Sequence, residues 1–363
     1  MTTGRRLRAS ALAFALTGVL TASSATAGQA SSSNIGDPGG TLDWVRLGMT
    51  LASPMRPLLD AIDGPQALNR GSDGRLTFLL LGSDARGTGV SRTDSIMLMS
   101  VKGNTITSAS VPRDTGRVPR PASMGGGTFS GKVNGILRQL VSSTGSLTSG
   151  LAAFERVIEN VTHVEIDYNA LIWFGGFTTL VGKVDPITVN ITREIRDPKH
   201  YDGGNGPNGV YFPKWNGFAL NAFNSPSKPF CDGAYKTDPP PINSTNYCRR
   251  ALPYVRSRKG PGNDDWVRSR RQQEFIASTI KAVGQSELSG LVSTAQGEGA
   301  GKWWTNYPIT TTSAMDLYNE FQGASLGNHV VFKPSTFATR IPGSSAYELK
   351  LSAVRQWTAQ NMN

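Results

Sequence analysis

The chain has 363 residues, enough for one large domain or two ordinary ones, and 38% of them are apolar, enough for a sizeable core. Charged residues make up only 17%, so the net charge of +11 reflects an imbalance of bases over acids and excludes a uniformly charged surface. This excess favours an anionic partner such as nucleic acid, an anionic lipid surface or a phosphorylated substrate.

The N-terminus has the pattern of a secretory signal peptide. Arg5, Arg6 and Arg8 precede the mostly apolar run ASALAFALTGVL, and the letters ATA at 25–27 fit a cleavage site. We therefore predict a signal peptide at 1–27; the alternative is an uncleaved anchor, for which about a dozen apolar residues are few compared with roughly 20. Cleavage would remove three arginines and no acid, lowering the net charge from +11 to +8. Export predicts an extracytoplasmic protein, secreted or held at the outer face of the membrane, and argues against nucleic acid as a partner.

The two cysteines are consistent with export. Cys231 and Cys248 are the only cysteines of the chain, and both lie in a segment rich in Pro and Asn. Outside the cytoplasm a disulfide between them is favoured over two free thiols. Closing that loop would contribute about 3 kcal/mol in the chain-entropy model. We expect it to hold together a long surface loop.

The order of the predicted elements indicates an α/β protein. Residues 28–70 are predicted to be a linker followed by a helical segment, and 71–363 to be one domain. The run at 75–87 predicts a strand buried on both faces and its turn. After it we predict strands at 94–101, 105–112, 163–168 and 185–195, helices at 146–161, 169–184, 264–283, 313–322 and 346–360, and a long loop at 197–250 before an extended segment at 254–258. Strands interleaved with helices imply a layered sheet with helices on its faces.

A basic cluster lies within the segment VRSRKGPGNDDWVRSRRQQEF at 255–275. Its six bases are Arg256, Arg258, Lys259, Arg268, Arg270 and Arg271, and its three acids are Asp264, Asp265 and Glu274. Arg256 and Arg258 project from one face if their segment is extended. Asn263 or Asp264 is the expected N-cap of the helix that follows.

A helical wheel divides the polar residues of this helix into two groups. The expected solvent face carries Arg270, Glu274 and Lys281, Arg271 is intermediate, and the apolar stripe carries Asp265, Arg268 and Gln272. Charges on an inward face are costly unless they are paired or bound to a ligand. An ion pair of Asp265 with Arg268 is the simpler interpretation, but one inward acid cannot neutralise Arg256, Arg258 and Arg268 together. The cluster therefore favours a bound polyanion.

Polar residues also flank three apolar strands upstream. Asp84 follows the first strand, Arg92 and Asp94 precede the second, and Arg113 and Asp114 follow the third. Each pattern alone is typical of an ordinary turn, but together they favour a ligand site at one edge of the sheet. Asp84 and Asp94 offer oxygen ligands that Mg²⁺ prefers and shares with phosphate. Arginines bind phosphate oxygens in bidentate fashion.

These motifs together resemble the LytR–CpsA–Psr family of extracytoplasmic phosphotransferases. The resemblance rests on LLLGSDAR, SRTDSIMLMSV, SASVPRDT, GKVNGIL, YVRSRKG and DDWVRSRRQQEFI, in the family's order over roughly 71–363. It implies a three-layer α/β/α sandwich with a central mixed sheet. It also implies transfer of a glycan phosphate from a polyprenyl-pyrophosphate carrier to a peptidoglycan hydroxyl, with release of polyprenyl phosphate, at the membrane surface. The implied cofactor is Mg²⁺, with Mn²⁺ as the alternative metal.

The resemblance assigns a role to each site residue. The implied metal ligands are Asp84 and Asp94. The implied pyrophosphate-binding residues are Arg92, Arg113, Lys132, Arg256, Arg258, Arg268 and Gln272. The implied catalytic residues are Asp94, Asp265 and Arg113, and the base for the acceptor hydroxyl is Asp94 or Asp265 unless the metal lowers the pKa of that hydroxyl instead. Lys132 and Asn134 match a Lys-x-Asn motif of the family, whereas Val267 stands where a glycine is usual.

Two further functions fit the same residues. A hydrolase would cleave the lipid-linked pyrophosphate with water, and a non-catalytic protein would bind anionic wall polymer. The apolar segment LIWFGGFTTLV is either one wall of a lipid groove or a buried helix with a close-packing glycine pair.

Overall fold

The structure is a computed structural model that describes residues 70–85, 90, 92–184, 186–200, 209–222, 248–298 and 301–363. The predicted signal peptide, the linker and helical segment up to residue 69, and Cys231 lie outside this part of the chain. The disulfide therefore stays a prediction, although Cys248 is buried in the core. Among the described residues, no helix is both long enough and apolar enough to cross a bilayer.

The described part of the fold contains twelve strands, eight α-helices and three short 3-10 helices. The strands are β1 (Leu76–Ser83), β2 (Thr93–Lys102), β3 (Thr105–Ser110), β4 (Tyr168–Trp173), β5 (Ile187–Ile191), β6 (Ile195–Asp197), β7 (Val210–Phe212), β8 (Trp215–Leu220), β9 (Trp303–Thr305), β10 (Ser325–Val331), β11 (Ala338–Arg340) and β12 (Tyr347–Leu349). The helices are α1 (Ile136–Thr144), α2 (Leu147–Thr162), α3 (Phe174–Val181), α4 (Ala251–Arg256), α5 (Asp265–Ala282), α6 (Leu288–Glu298), α7 (Thr311–Phe321) and α8 (Leu351–Asn361).

The central sheet has six strands in the order β10-β3-β2-β1-β4-β9. It is mixed, because β1 runs antiparallel to β2 but parallel to β4, and β3 runs parallel to β10. Strand β1 is buried on both faces: Phe78 and Leu80 contribute to one apolar core, and Leu79 and Leu81 to the other. Helices α3 to α7 contribute to the first core and α1, α2 and α8 to the second. The predicted α/β/α sandwich with a central mixed sheet is thus confirmed.

Two predictions around residue 168 are wrong. The stretch before Tyr168 is irregular, and residues 169–173, expected to be helical, belong to strand β4 in the centre of the sheet. A short apolar run buried on both faces has no periodicity that separates strand from helix. The helix begins only at Phe174. Within it Gly176 does pack closely, since a Cβ there would overlap the carbonyl oxygen of Lys302.

The segment at 185–258 also differs from its prediction. The expected strand at 185–195 is divided into β5 and β6, and the expected loop contains β7 and β8, which pair with them. The expected extended segment at 254–258 begins inside α4, which ends at Arg256. Pro253 is compatible with this short helix because it lies in the first turn, where an amide hydrogen has no partner within the helix.

Candidate active site

The connectivity of the sheet brings the upstream polar residues to one edge. Since β1 and β2 are antiparallel, the end of β1 lies beside the start of β2, where Ser83 pairs with Thr93. Asp84 directly follows β1, and its Oδ1 accepts a hydrogen bond from the backbone N–H of Arg92 at 3.1 Å. Strand β3 is antiparallel to β2, so the chain beyond β3 carries Arg113 to the same edge.

Helix α5 faces this edge and is bonded to it. Asp264 caps the helix, as predicted, by accepting from the backbone N–H of Val267 at 2.9 Å. Arg268, which is 3% exposed, donates to the backbone carbonyl of Asp94 at 2.8 Å. Gln272 accepts from Ser95 Oγ at 3.1 Å and donates to the carbonyl of Val255 at 3.0 Å. The inward orientation predicted for Asp265, Arg268 and Gln272 is confirmed by these contacts and by the ion pairs of Asp265.

Arg113 lies at the centre of a charged network. Its Nη1 is 2.7 Å from Asp94 Oδ1, and its Nε is 3.5 Å from Asp265 Oδ1 and 3.8 Å from Asp114 Oδ2. Burial alone would lower the pKa of Arg113, but the neighbouring carboxylates raise it above the usual value. The guanidinium therefore stays charged.

Asp265 links this network to two further arginines. Its Oδ1 is 3.1 Å from Arg268 Nη2 and 4.0 Å from Arg258 Nη1. Burial lowers the pKa of Arg268, and the fields of Asp265 and Asp94 oppose that shift. Asp265 is thus shared by three arginines, Arg113 among them.

A cavity of about 380 Å³ lies between the sheet edge and helices α3, α4 and α5. Its charged lining consists of seven bases and three acids: Arg92, Arg113, Lys199, Arg256, Arg258, Lys259 and Arg268, with Asp84, Asp94 and Asp197. Its apolar lining includes Leu80, Ala170, Ile172, Phe174, Phe177, Leu252, Val255, Phe275 and Ile276. The guanidinium of Arg256 stacks over Phe174 at 4.1 Å from the ring centroid, where charged and apolar lining meet. The cavity is therefore amphipathic.

A family model, that of the LytR_cpsA_psr family, matches residues 59–360 of the chain. The chain belongs to the LytR–CpsA–Psr family. A curated relative from Bacillus cereus, the polyisoprenyl-teichoic acid–peptidoglycan teichoic acid transferase TagU, is 29% identical over 128 residues, which are 35% of this chain and 38% of the relative. The chain thus spans well under half the length of that relative.

Two solved structures share the fold of this family member. The crystal structure of TagV from B. subtilis is 19% identical and superposes with a TM-score of 0.51, covering 79% of this chain and 96% of TagV. A protein of Streptococcus agalactiae is 18% identical with a TM-score of 0.54, covering 79% and 87% of the two chains. At these identities the likeness concerns the fold.

Two of the site residues expected in this LytR–CpsA–Psr protein lie outside the cavity lining. Lys132 pairs with Asp114 at 2.6 Å and donates to Ser345 Oγ at 3.0 Å, so it reaches Arg113 only through Asp114. Asp265 stands behind Arg113. The remaining expected site residues line the cavity, including Arg256 and Arg258, although the two belong to a helix end and the loop after it rather than to one strand.

Asp197 is a site residue that the sequence did not reveal. It is 1% exposed, and its Oδ2 accepts from the backbone N–H groups of Arg258 at 2.8 Å and Lys259 at 2.9 Å. Its Oδ1 accepts from the N–H of Lys199 at 3.2 Å. Asp197 thereby fixes the loop that carries two of the cavity's bases. In the sequence, Asp197 is an acid followed by proline in an expected surface loop, a pattern that does not indicate a buried site residue.

His200 also lines the cavity and was not expected there. Its side chain is buried, and burial together with Arg256, Arg250 and Arg271 lowers its pKa to about 4, against the opposing field of Asp197. The imidazole is therefore neutral at physiological pH. The scattered histidines of the sequence show no spacing that would single out this one.

Arg271 is more buried than the wheel predicted. It donates to the backbone carbonyl of Ser257 and lies over the ring of Tyr254 at 5.6 Å. Burial is the main reason that its pKa falls to about 10. Arg271 thus bonds to the loop between α4 and α5, residues 257–264, which we call the Arg258 loop.

The two expected metal ligands, Asp84 and Asp94, lie in the same cavity. Within the described ranges, no group of three or more His, Cys, Asp or Glu side chains is placed to hold a metal ion. Both aspartates nevertheless line a cavity that is rich in bases. Such a pair suits Mg²⁺, which is commonly held by one or two carboxylates together with substrate phosphates.

Proposed function

We propose that this protein transfers a glycan phosphate from a polyprenyl-pyrophosphate carrier to a hydroxyl of peptidoglycan and releases polyprenyl phosphate. The observation that carries this proposal is the amphipathic cavity, in which charged and apolar linings meet at Arg256 and Phe174. A lipid-linked pyrophosphate has the same two parts. The activity stated in the name of the B. cereus relative is consistent with this substrate class.

In this proposal the arginines bind and orient the pyrophosphate. Arg92, Arg256 and Arg258 line the cavity as bases, and Arg113 and Arg268 are held in place by carboxylates and by a backbone carbonyl. Phosphoryl transfer depends mainly on positioning and on stabilising charge on the transferred group. Guanidinium groups fixed before the reaction supply such stabilisation without reorganising.

The apolar lining is proposed to hold the first isoprene units of the carrier. Phe174 and Phe177 from α3 and Leu252 from α4 face the cavity together with Ile172 of β4. Burying apolar surface here contributes about 25 cal/mol for each Å² removed from water. The segment LIWFGGFTTLV accordingly supplies a strand and a helix to the proposed lipid site.

Asp94 is the better placed of the two candidate bases. It lines the cavity, whereas Asp265 lies behind Arg113. We therefore assign to Asp94 the removal of the proton from the acceptor hydroxyl, and to Asp265 the positioning of Arg113, Arg258 and Arg268. A bound Mg²⁺, held by Asp84 and Asp94, would neutralise charge on the phosphate oxygens.

The test is a transfer assay with two matched variants. The protein is incubated with Mg²⁺, a synthetic polyprenyl-pyrophosphoryl disaccharide and a peptidoglycan oligomer, and the products are identified by mass spectrometry. Arg258→Ala removes a cavity base whose side chain is 35% exposed, and Arg270→Ala removes a base of α5 that is 63% exposed and bonded to Glu274. We expect Arg258→Ala to lower the rate by about 100-fold and Arg270→Ala to leave it within about twofold.

The products decide between the functions. Glycan joined to peptidoglycan through a phosphodiester supports the ligase, and free glycan phosphate without it would instead identify a hydrolase. Equal rates for both variants would contradict the role of Arg258 in binding the pyrophosphate.

A further inference from the structure

A row of exposed bases leads from the cavity to an exposed tryptophan. We define this basic stripe as Arg193, Lys199, Lys214, Trp215 and Lys259, all of which are exposed. Trp215 is 48% exposed, and in the described part of the chain it is the one large hydrophobic side chain with so much accessible surface. A lone exposed hydrophobic residue is common, so its neighbours decide what it means.

The backbone contacts place the outer end of the stripe together. Trp215 begins β8 and pairs with Ile191, the last residue of β5. Ile195 of β6 pairs with Phe212 of β7, so the residues just beyond that pair, Arg193 and Lys214, lie at the same end. Two bases and a tryptophan therefore share one surface.

The loop after Arg258 connects this end to the cavity. Arg193 Nη2 donates to the carbonyl of Pro261 at 3.4 Å, and the N–H of Lys259 bonds to Asp197 at 2.9 Å. Gly260 lies so close to β6 that a Cβ would overlap the carbonyl oxygen of Arg196. The loop thus runs along β6 from Arg193 to Lys259, which lines the cavity.

The charge of this surface is mainly positive. Glu194 is exposed within it, but it pairs with Arg196 at 2.9 Å and accepts from the hydroxyl of Tyr211 at 3.3 Å. Asp264 lies at the far end of the loop, where it caps α5. Neither acid neutralises the bases of the stripe.

We propose that the basic stripe is a membrane-docking surface that binds anionic lipid headgroups and inserts Trp215 at the level of the headgroups. Lysine and arginine are attracted to an anionic bilayer surface, and tryptophan favours the boundary between headgroups and acyl chains. A soluble phosphate polymer would attract the bases but would gain little from an exposed indole ring. Docking here would place the cavity next to the bilayer, where a polyprenyl-linked donor resides. This part of the inference rests on the proposed function.

The test measures partitioning of the full chain onto vesicles by co-sedimentation. The vesicles contain phosphatidylcholine with 30% phosphatidylglycerol or phosphatidylcholine alone. The variants are Lys214→Glu and Trp215→Ser, and the control is Lys333→Glu, which makes the same charge change at an exposed lysine beyond β10. The N-terminal apolar run is common to all of them, so differences between variants report on the stripe.

We expect a drop of about tenfold in the partition coefficient on anionic vesicles for Lys214→Glu, a comparable drop for Trp215→Ser, and little change for Lys333→Glu. Equal partitioning of Lys214→Glu and Lys333→Glu would overturn the proposal. Unchanged partitioning of Trp215→Ser would also overturn it, in favour of a site for a soluble polyanion.

A second assay separates this inference from the proposed function. With a short-chain, water-soluble donor and no vesicles, both stripe variants should transfer glycan phosphate at the wild-type rate, since neither residue lines the cavity. Absence of transfer by every protein would count against the proposed function and leave vesicle docking standing. Slower transfer by the stripe variants in this vesicle-free assay would count against docking as their role.

Discussion

At the scale of single residues, the site is organised around Arg113 and its three carboxylates. Asp94 is the nearest of them, and Asp265 and Asp114 lie farther away. The guanidinium is therefore held at the sheet edge by fixed partners rather than by its own rotamer preference. Arg113→Lys keeps the charge but replaces the planar guanidinium by an ammonium group, which cannot bond to these partners in the same geometry.

His200 provides a prediction about pH. Its pKa falls from 6.5 to about 4 in the folded protein, so between these values the unfolded chain binds more protons than the folded one. Stability should therefore fall as pH falls through this window, with a total contribution on the order of 3 kcal/mol. We expect the free energy of unfolding, measured in urea at pH 7 and pH 4.5, to fall more for the wild type than for His200→Gln.

His329→Gln is the matched control for this measurement. It lies on β10, away from the cavity, and its Nδ1 is 3.2 Å from the carbonyl oxygen of Gly327. Asp167, whose burial raises its pKa to about 6, acts in the opposite direction in the same pH window but is common to all three proteins. Parallel pH profiles for wild type and His200→Gln would contradict the prediction.

At this scale, part of the site could be predicted from the sequence. The wheel placed Asp265, Arg268 and Gln272 correctly because α5 keeps one register from its cap onward. Arg256 and Arg258 reach the cavity, but from a helix end and a loop rather than from the predicted extended segment. Asp197 and His200 were missed because their burial depends on the pairing of β6 with β7 and on the Arg258 loop, contacts that lie far apart in the sequence.

At the scale of elements, the Arg258 loop depends on buried acceptors. Asp197→Ala would leave the backbone N–H groups of Arg258 and Lys259 without this acceptor. An amide hydrogen that loses its partner away from water costs about 1–3 kcal/mol. We expect a lower free energy of unfolding in urea and a higher KM for the donor. Asp197→Asn should lose less on both measures, because its amide oxygen can still accept. Equal effects of the two substitutions would show that loss of the acceptor is not the cause.

Elements with their own local signals were predicted and elements defined by pairing were not. Strand β1 is a continuous apolar run, and α5 has a cap and an apolar stripe, so both were found. The strand at 168–173 and the helix after it form one apolar stretch in the sequence. The boundary between them is set by the pairing of β4 with β1 and β9, which the sequence does not show. Strands β6 and β7 are three residues each, too short to show a period.

At the scale of the whole molecule, the cavity combines two layers of the sandwich. The sheet edge supplies Asp84, Asp94 and Arg113, while α3 and α4 supply apolar side chains. The polar residues of the sheet edge and the apolar residues of α3 and α4 thus lie on different elements and can be substituted separately, although Arg256 shares α4 with Leu252.

Leu252→Lys tests this separation. Leu252 is half-buried, lines the cavity and would place a charge beside the proposed lipid chain. We expect activity to fall by about tenfold with a long polyprenyl donor, because the lysine removes apolar contact and places a charge against the lipid. Activity should fall much less with a donor whose lipid is a single short isoprenoid. The measurement is kcat/KM for both donors.

Leu326→Lys is the control, because Leu326 is a half-buried leucine on β10 that does not line the cavity. It should affect both donors alike. If Leu252→Lys also affected both donors alike, the apolar lining would have no role in recognising the lipid.

The contact between Arg113 and Asp94 has a consequence for turnover. Under the proposed function, an incoming diphosphate would meet a cation that Asp94 already partly neutralises, so it would gain less from this contact than from a bare charge. Such partial neutralisation would limit how tightly the departing phosphate is retained. The proposed polyprenyl phosphate product would then dissociate without being trapped by the groups that bound the donor.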